Sequence, residues 1–228
     1  MKTIKTLLKT IKKGDSMKVS GSILKIKDDK TKIKKMMISG IDYLHLDIMD
    51  GKFVENKTFS YEECLEINLA NEIPLDVHLM VNNPLKYINQ FINLSPKIIT
   101  FHVENDNIGE NITIIKSNNI SVGLAINPTT DIEKIIPYLD KIDLVLVMSV
   151  EPGYGGQVFN ENVLSKIDFL KNLRIKNNLN YLIEVDGGIN IENVTKIDCD
   201  IVVIGSGITD YNDYSKQVSR IKELIWKK

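Results

Sequence analysis

Cysteine is nearly absent from this chain of 228 residues, with Cys64 and Cys199 its only two. They lie far apart, show no C-x-x-C spacing and exclude the disulfide framework that staples small secreted domains. A reducing cytosol is the expected compartment. Charge bias is missing too: 29 Lys and Arg stand against 30 Asp and Glu, which leaves no global field to recruit nucleic acid or an acidic membrane. No apolar run approaches the roughly 20 residues needed to span a bilayer. The lysine-rich start lacks the uninterrupted apolar stretch and small-residue cleavage site of a signal peptide. No linker or low-complexity tract divides the chain. These absences predict a soluble, unexported, cytoplasmic protein with a metabolite-sized partner, and neither a nucleic acid nor a membrane.

At this length one large α/β domain is the default, and it can bury most of the surface its unfolded form would expose. Residues 2–13, "KTIKTLLKTIKK", place Ile4, Leu7, Leu8 and Ile11 at helical spacing before Gly14. The expectation is an N-terminal amphipathic helical extension over 1–16, laid against one end of a single barrel domain over 17–228, with Met17 an alternative start. Eight short β-branched runs follow, at 18–24, 43–49, 75–80, 98–103, 121–126, 143–148, 181–186 and 201–206. Helix-like stretches alternate with them, including "DIEKIIPYL" (131–139) and "IENVTKI" (191–197). Strand then helix, eight times over, predicts a parallel sheet closed into a (β/α)8 or TIM barrel, with an open doubly wound sheet the alternative. Barrel active sites form at the C-terminal ends of the strands, so polar residues there carry the functional reading.

The second run, "YLHLDIM", spends ionisable residues on a buried strand. Side chains two apart share a strand face, so His45 and Asp47 point one way and Leu44, Leu46 and Ile48 the other. By the same alternation His78 ends the third strand with Asp76 one pleat below, and Asp186 ends the seventh above Glu184. Singly, each has an ordinary structural explanation, and Asp50-Gly51 is good turn chemistry. Together, two imidazoles and two carboxylates at one mouth make a site for one divalent cation, since a shared cation removes much of the cost of burying them. Zinc stands foremost, with iron(II), manganese or cobalt as alternatives. His102 ends the fourth strand and can join, but Glu104 can equally hold it by a hydrogen bond, so neither is counted as a ligand.

Glycines cluster after the last three strands, in "VEPGYGGQVF" (150–159), "DGGI" (186–189) and "GSGI" (205–208). One such turn means little; three in succession, where barrels commonly hold a phosphate, predict a phosphate monoester remote from the metal.

These motifs in order, "SIL", "HLDIMDGKFVEN", "PLDVHLMV", "FHVEN", "GLAINP", "VLVMSVEPGYGGQVF", "IEVDGGIN" and "VIGSGI", resemble the ribulose-phosphate 3-epimerases of the pentose phosphate pathway over nearly everything after residue 18. The resemblance implies a metal bound by His45, Asp47, His78 and Asp186. It makes Asp47 and Asp186 the two acid/base groups, one on each side of C3 of D-ribulose 5-phosphate, interconverted with D-xylulose 5-phosphate through an enediolate. It implies substrate contacts from Ser22, His78, Asp186 and the methionines Met49, Met80 and Met148. Around the phosphate it places Gly153, Gly155, Gly156, Gln157, Gly187, Gly188, Gly205 and Ser206, with Asn127-Pro128 in a nearby loop. Relatives commonly form homo-oligomers. Gly21, Lys52, Glu55 and Gly207 depart from the family pattern without removing a ligand or an acid/base group. An epimerase for a related ketose phosphate such as allulose 6-phosphate, or a catalytically silent sugar-phosphate binding barrel, are the competing readings.

Overall fold

The computed structural model describes residues 17–226; the expected helix over 2–13 lies outside them. Eight parallel strands pair in chain order and the eighth closes on the first. They are β1 (Lys18–Ser22), β2 (Tyr43–Met49), β3 (Leu75–Met80), β4 (Ile98–His102), β5 (Ser121–Ile126), β6 (Leu144–Met148), β7 (Leu182–Asp186) and β8 (Ile201–Ile204). Three strands match the predicted spans at both ends and the others end within two residues of them. The helices are α1 (Lys30–Met37), α2 (Tyr61–Leu69), α3 (Pro84–Phe91), α4 (Ile108–Ser117), α5 (Leu164–Lys176), α6 (Ser206–Thr209) and α7 (Tyr214–Trp226).

Local chemistry starts these helices. Asp29 accepts hydrogen bonds from the amides of Thr31 and Lys32, and Ser60 and Glu63 form a reciprocal capping box at α2. Pro84 occupies the first turn of α3, where its missing N–H costs nothing. Two expected helices are not formed. Residues 131–139 make two 3-10 turns, Ile132–Lys134 and Ile136–Tyr138, because Pro137 has no amide to continue an α-helical ladder. Within 191–197 a turn leads into a single 3-10 turn, Val194–Lys196, after Asn193 has used its side chain to accept from the Asn190 amide and donate to the Gly188 carbonyl.

Alternation along each strand divides the interior in two. Leu44, Leu46 and Ile48 of β2, with Val77, Leu79, Ile99 and Phe101, face outward into the layer between barrel and helices. Inside, Ile98, Ala125, Leu144, Leu146, Met148 and Ile201 form a smaller apolar cluster. Register sets His45 beside Asp76 and Asp47 beside His78, one pleat apart. Across the barrel it sets Met148 beside Asp186. Polar side chains therefore enter the barrel in stacked pairs at the carboxyl ends of β2, β3 and β7.

Candidate active site

All three histidines of the chain converge on this mouth, and all three are fully buried. Nδ1 of His45 donates to Asp76 Oδ2 over 2.7 Å, and the Ser20 hydroxyl donates to the same oxygen over 2.8 Å. The opposite nitrogen, His45 Nε2, lies 3.3 Å from Asp47 Oδ1, and His78 Nδ1 lies 3.5 Å from that oxygen. Neither nitrogen has a hydrogen-bond partner among the described residues. Asp47 presents its other oxygen to Ser22, whose hydroxyl donates over 2.7 Å. One donor atom each from His45, Asp47, His78 and Asp186 falls within 4.8 Å of the others. Two unsatisfied buried imidazole nitrogens and two carboxylates fit a divalent cation of the zinc or harder type, which would give each nitrogen its missing partner.

Electrostatics divides the two aspartates. Burial disfavours charge on Asp47, but His45 and His78 outweigh it and hold its carboxyl well below the usual range. Burial and the neighbouring Asp47 charge push the Asp186 carboxyl the other way, up to about 7. Burial also works against a charge on His45, where the Asp76 and Asp47 carboxylates prevail and raise its pKa well above the ordinary imidazole value. Glu184, completely buried beneath, is pushed up by burial and by Asp76, which keeps it a neutral acid. A cation entering the cluster takes the place of the His45 proton.

Beside the cluster opens a narrow cleft. It is lined by Ser22, Asp47, Met49, Met80, Met148 and Asp186 at one end, and by Gly153, Gly155, Gly156, Gln157, Gly187, Gly188, Gly205 and Ser206 at the other. Every expected substrate contact except His78 lines it; His78 is buried behind Asp47 and reaches the cleft only through the cluster. The glycine end depends on special backbone. Gly187 and Gly188 have φ of +116° and +63°, and a Cβ on Gly188 would stand 2.3 Å from the Phe159 amide nitrogen. Gln157 holds the β6 loop by donating to the carbonyls of Glu151 and Tyr154, both at 2.9 Å. Asp50 organises the β2 loop, accepting from the amides of Lys52, Phe53 and Asn82, as turn chemistry required.

Leu24, Lys25, Val150, Glu151, Tyr154 and Val203 also line the cleft and were not expected from sequence. Leu24, Lys25, Val150, Glu151 and Tyr154 lie outside the strands and carry no periodicity that points inward, whereas Val203 lies on β8 beside Asp186, where strand alternation from inward-facing Ile201 could have found it. Glu104 holds His102 across 3.2 Å, the alternative to ligation that the sequence left open.

Fold and site together define a (β/α)8-barrel enzyme with an imidazole–carboxylate centre at its C-terminal mouth and glycine loops beside it. Residues 18–209 match the model of the Ribulose-phosphate 3 epimerase family, and the chain belongs to that family. Membership makes it an isomerase of the epimerase kind acting on a sugar phosphate. It is 39% identical to the ribulose-phosphate 3-epimerase of Aquifex aeolicus, over 85% of this chain and 89% of that one. With the enzyme of the same name from Buchnera aphidicola subsp. Baizongia pistaciae it shares 40%, over 82% and 85%. Among solved structures the crystal structure of KGPDC from Streptococcus mutans superposes with a TM-score of 0.72 at 10% identity, covering 93% of this chain and 99% of that one. That likeness concerns the fold alone.

Proposed function

We propose that the chain interconverts D-ribulose 5-phosphate and D-xylulose 5-phosphate by two-base proton transfer at C3, with Asp47 and Asp186 as the two bases. The observation that carries this reading is a pair of aspartates from two strands, gathered in one cluster and both lining the cleft. Epimerisation needs such a pair. One ionised carboxylate removes the C3 proton from one face of the sugar, and a protonated one returns a proton to the other face. A single carboxylate would mostly regenerate the starting epimer.

His45, Asp47, His78 and Asp186 are the residues that would hold the metal. When bound, the cation supplies Lewis-acid stabilisation of the enediolate oxygens. Ser22 keeps one Asp47 oxygen hydrogen-bonded and so orients the carboxylate toward the cleft. Met49, Met80 and Met148 line the reacting end with polarizable, apolar surface that excludes water. The backbone of Gly153, Gly155, Gly156, Gly187, Gly188 and Gly205, with Ser206 and Gln157, receives the phosphate and sets the distance from phosphate to C3. Zinc is the foremost candidate for the metal, on the N/O donor set and the absence of thiolate. The pentose phosphate pathway, the cytoplasm and a homo-oligomer belong to the same reading. The names of the relatives support it, and no helix among the described residues is long and apolar enough to cross a membrane.

Proton NMR of the protein with D-ribulose 5-phosphate in D₂O tests the proposal, with and without chelator and with allulose 6-phosphate in parallel. The expected result is xylulose 5-phosphate carrying deuterium at C3, abolished by chelation and by Asp186→Asn. Turnover of the six-carbon substrate alone would reassign specificity. Absence of reaction and exchange after metal restoration would leave a binding protein.

A further inference from the structure

Behind the ligand cluster runs a second set of buried polar groups to which the reaction assigns no part. His78 Nε2 meets His102 Nε2 at 2.9 Å, edge to edge, with ring planes 22° apart and centroids 5.0 Å apart. His102 Nδ1 in turn lies 3.2 Å from Glu104 Oε2. The far oxygen of Glu104 accepts the Asn127 amide at 3.0 Å, which pins the carboxylate to the loop after β5. Phe53, from the loop after β2, covers the outer face of the His102 ring with centroids 4.7 Å apart.

The proton positions follow by elimination from the acceptor end. An ionised carboxylate can only accept, so His102 Nδ1 carries the hydrogen. A neutral imidazole has one N–H, so with Nδ1 donating to Glu104 the Nε2 of His102 is left as an acceptor. A bare nitrogen facing His78 Nε2 makes that atom the donor, so neutral His78 keeps its lone pair on Nδ1. That is the nitrogen without a partner, 3.5 Å from Asp47 Oδ1. Asp76 acts on His45 in the mirror sense, taking the Nδ1 hydrogen, so that Nε2 is the nitrogen turned toward the cluster. The two imidazoles thus present opposite ring nitrogens, Nε2 of His45 and Nδ1 of His78, to the same carboxylate oxygen.

We propose that Glu104 and His102 are positioning residues, a relay that locks His78 in the Nε2–H tautomer and so presets its Nδ1 for the metal. The proposal rests on the metal reading of the cluster and extends it to two residues outside the ligand set. A free imidazole populates both tautomers, and the wrong one would point an N–H at the cation. Hydrogen-bond partners behind metal-bound histidines typically contribute 10- to 100-fold in affinity.

Zinc affinity of the full chain, by competition with a chromophoric chelator, and long-range ¹H–¹⁵N NMR of the imidazoles test it together. Glu104→Leu and His102→Phe should each weaken zinc binding about 10- to 100-fold. The double variant should be no weaker than the worse single one, because both interrupt one chain. Glu104→Gln, which restores an acceptor for His102, should recover most of the loss. In the metal-free parent, His78 should show a protonated Nε2 and a bare Nδ1, and Glu104→Leu should mix the two tautomers. Glu104 sits at the rim and keeps the test alive if His102→Phe does not fold. Zinc affinities within threefold of the parent, or a His78 tautomer unchanged in Glu104→Leu, would overturn the relay. A parent that binds no zinc would overturn the metal reading first and the relay with it, a result distinct from failure in the variants alone.

Discussion

Asp186 shows how one side chain can serve a site at the expense of the metal-free fold. Its carboxyl is pushed up to about 7 by burial and by the Asp47 charge, against an ordinary value of 3.8. Between those two values the folded state holds a proton that the unfolded state has released, so this residue's contribution to stability falls as pH rises. Asp186→Asn removes the ionisation. In metal-free protein the variant should melt with the parent near pH 4, separate from it as pH rises toward 7, and be several degrees more stable at pH 8. Calorimetry across that range checks the sign, and a parent more stable than the variant at pH 8 would contradict it. With zinc bound the order should reverse, because the parent then has a ligand that the variant lacks.

At the scale of elements, the loop after β5 is held by a side chain from a distant helix. Lys166 on α5 donates to the carbonyls of Asn127, Pro128 and Thr130 at 3.0, 2.7 and 2.6 Å, so that one ammonium ties down the β5 loop. Lys166→Met should destabilise the protein by about 1–3 kcal/mol, the cost of leaving such carbonyls without a donor, read from the midpoint of urea unfolding. The β7 loop depends instead on backbone freedom. Gly188→Ala meets both a φ of +63° and the Phe159 amide, so the loop must shift. Sugar-phosphate KM should rise about tenfold or more if a single charge-assisted amide contact is lost, while zinc affinity, set at the other end of the cleft, should stay with the parent. Much of this scale was legible beforehand: every strand was placed within two residues. The expected helices over 131–139 and 191–197 were not formed, because Pro137 and the Asn190–Asn193 contact override an apolar spacing that, by itself, suits a helix.

For the molecule as a whole, a metal held by the proposed quartet would also be a stabiliser, because His45, Asp47, His78 and Asp186 from β2, β3 and β7 come together only in the closed barrel. A cation at 100 times its dissociation constant contributes about 2.7 kcal/mol, which at this chain length corresponds to a melting shift of about 5–10 °C. Chelation should lower the melting temperature by that amount and zinc should restore it. A melting curve indifferent to chelator, in a preparation shown to contain metal, would place the ion elsewhere.

The order of motifs along the chain and the two-residue alternation on its strands determined the barrel, the inward face that His45, Asp47, His78 and Asp186 share, and the glycine loops after the last three strands, because strand periodicity and glycine chemistry are local properties. Strand pairing and closure decided the rest. The β3–β4 register brings His102 and Glu104 behind His78, the β2–β3 register sets Asp76 against His45 Nδ1, and closure brings Asp186 of β7 to the same cluster. Which nitrogen of a histidine carries its hydrogen depends on partners 24 to 31 residues away. Their distances are fixed by strand register and barrel shear, which no window of sequence contains.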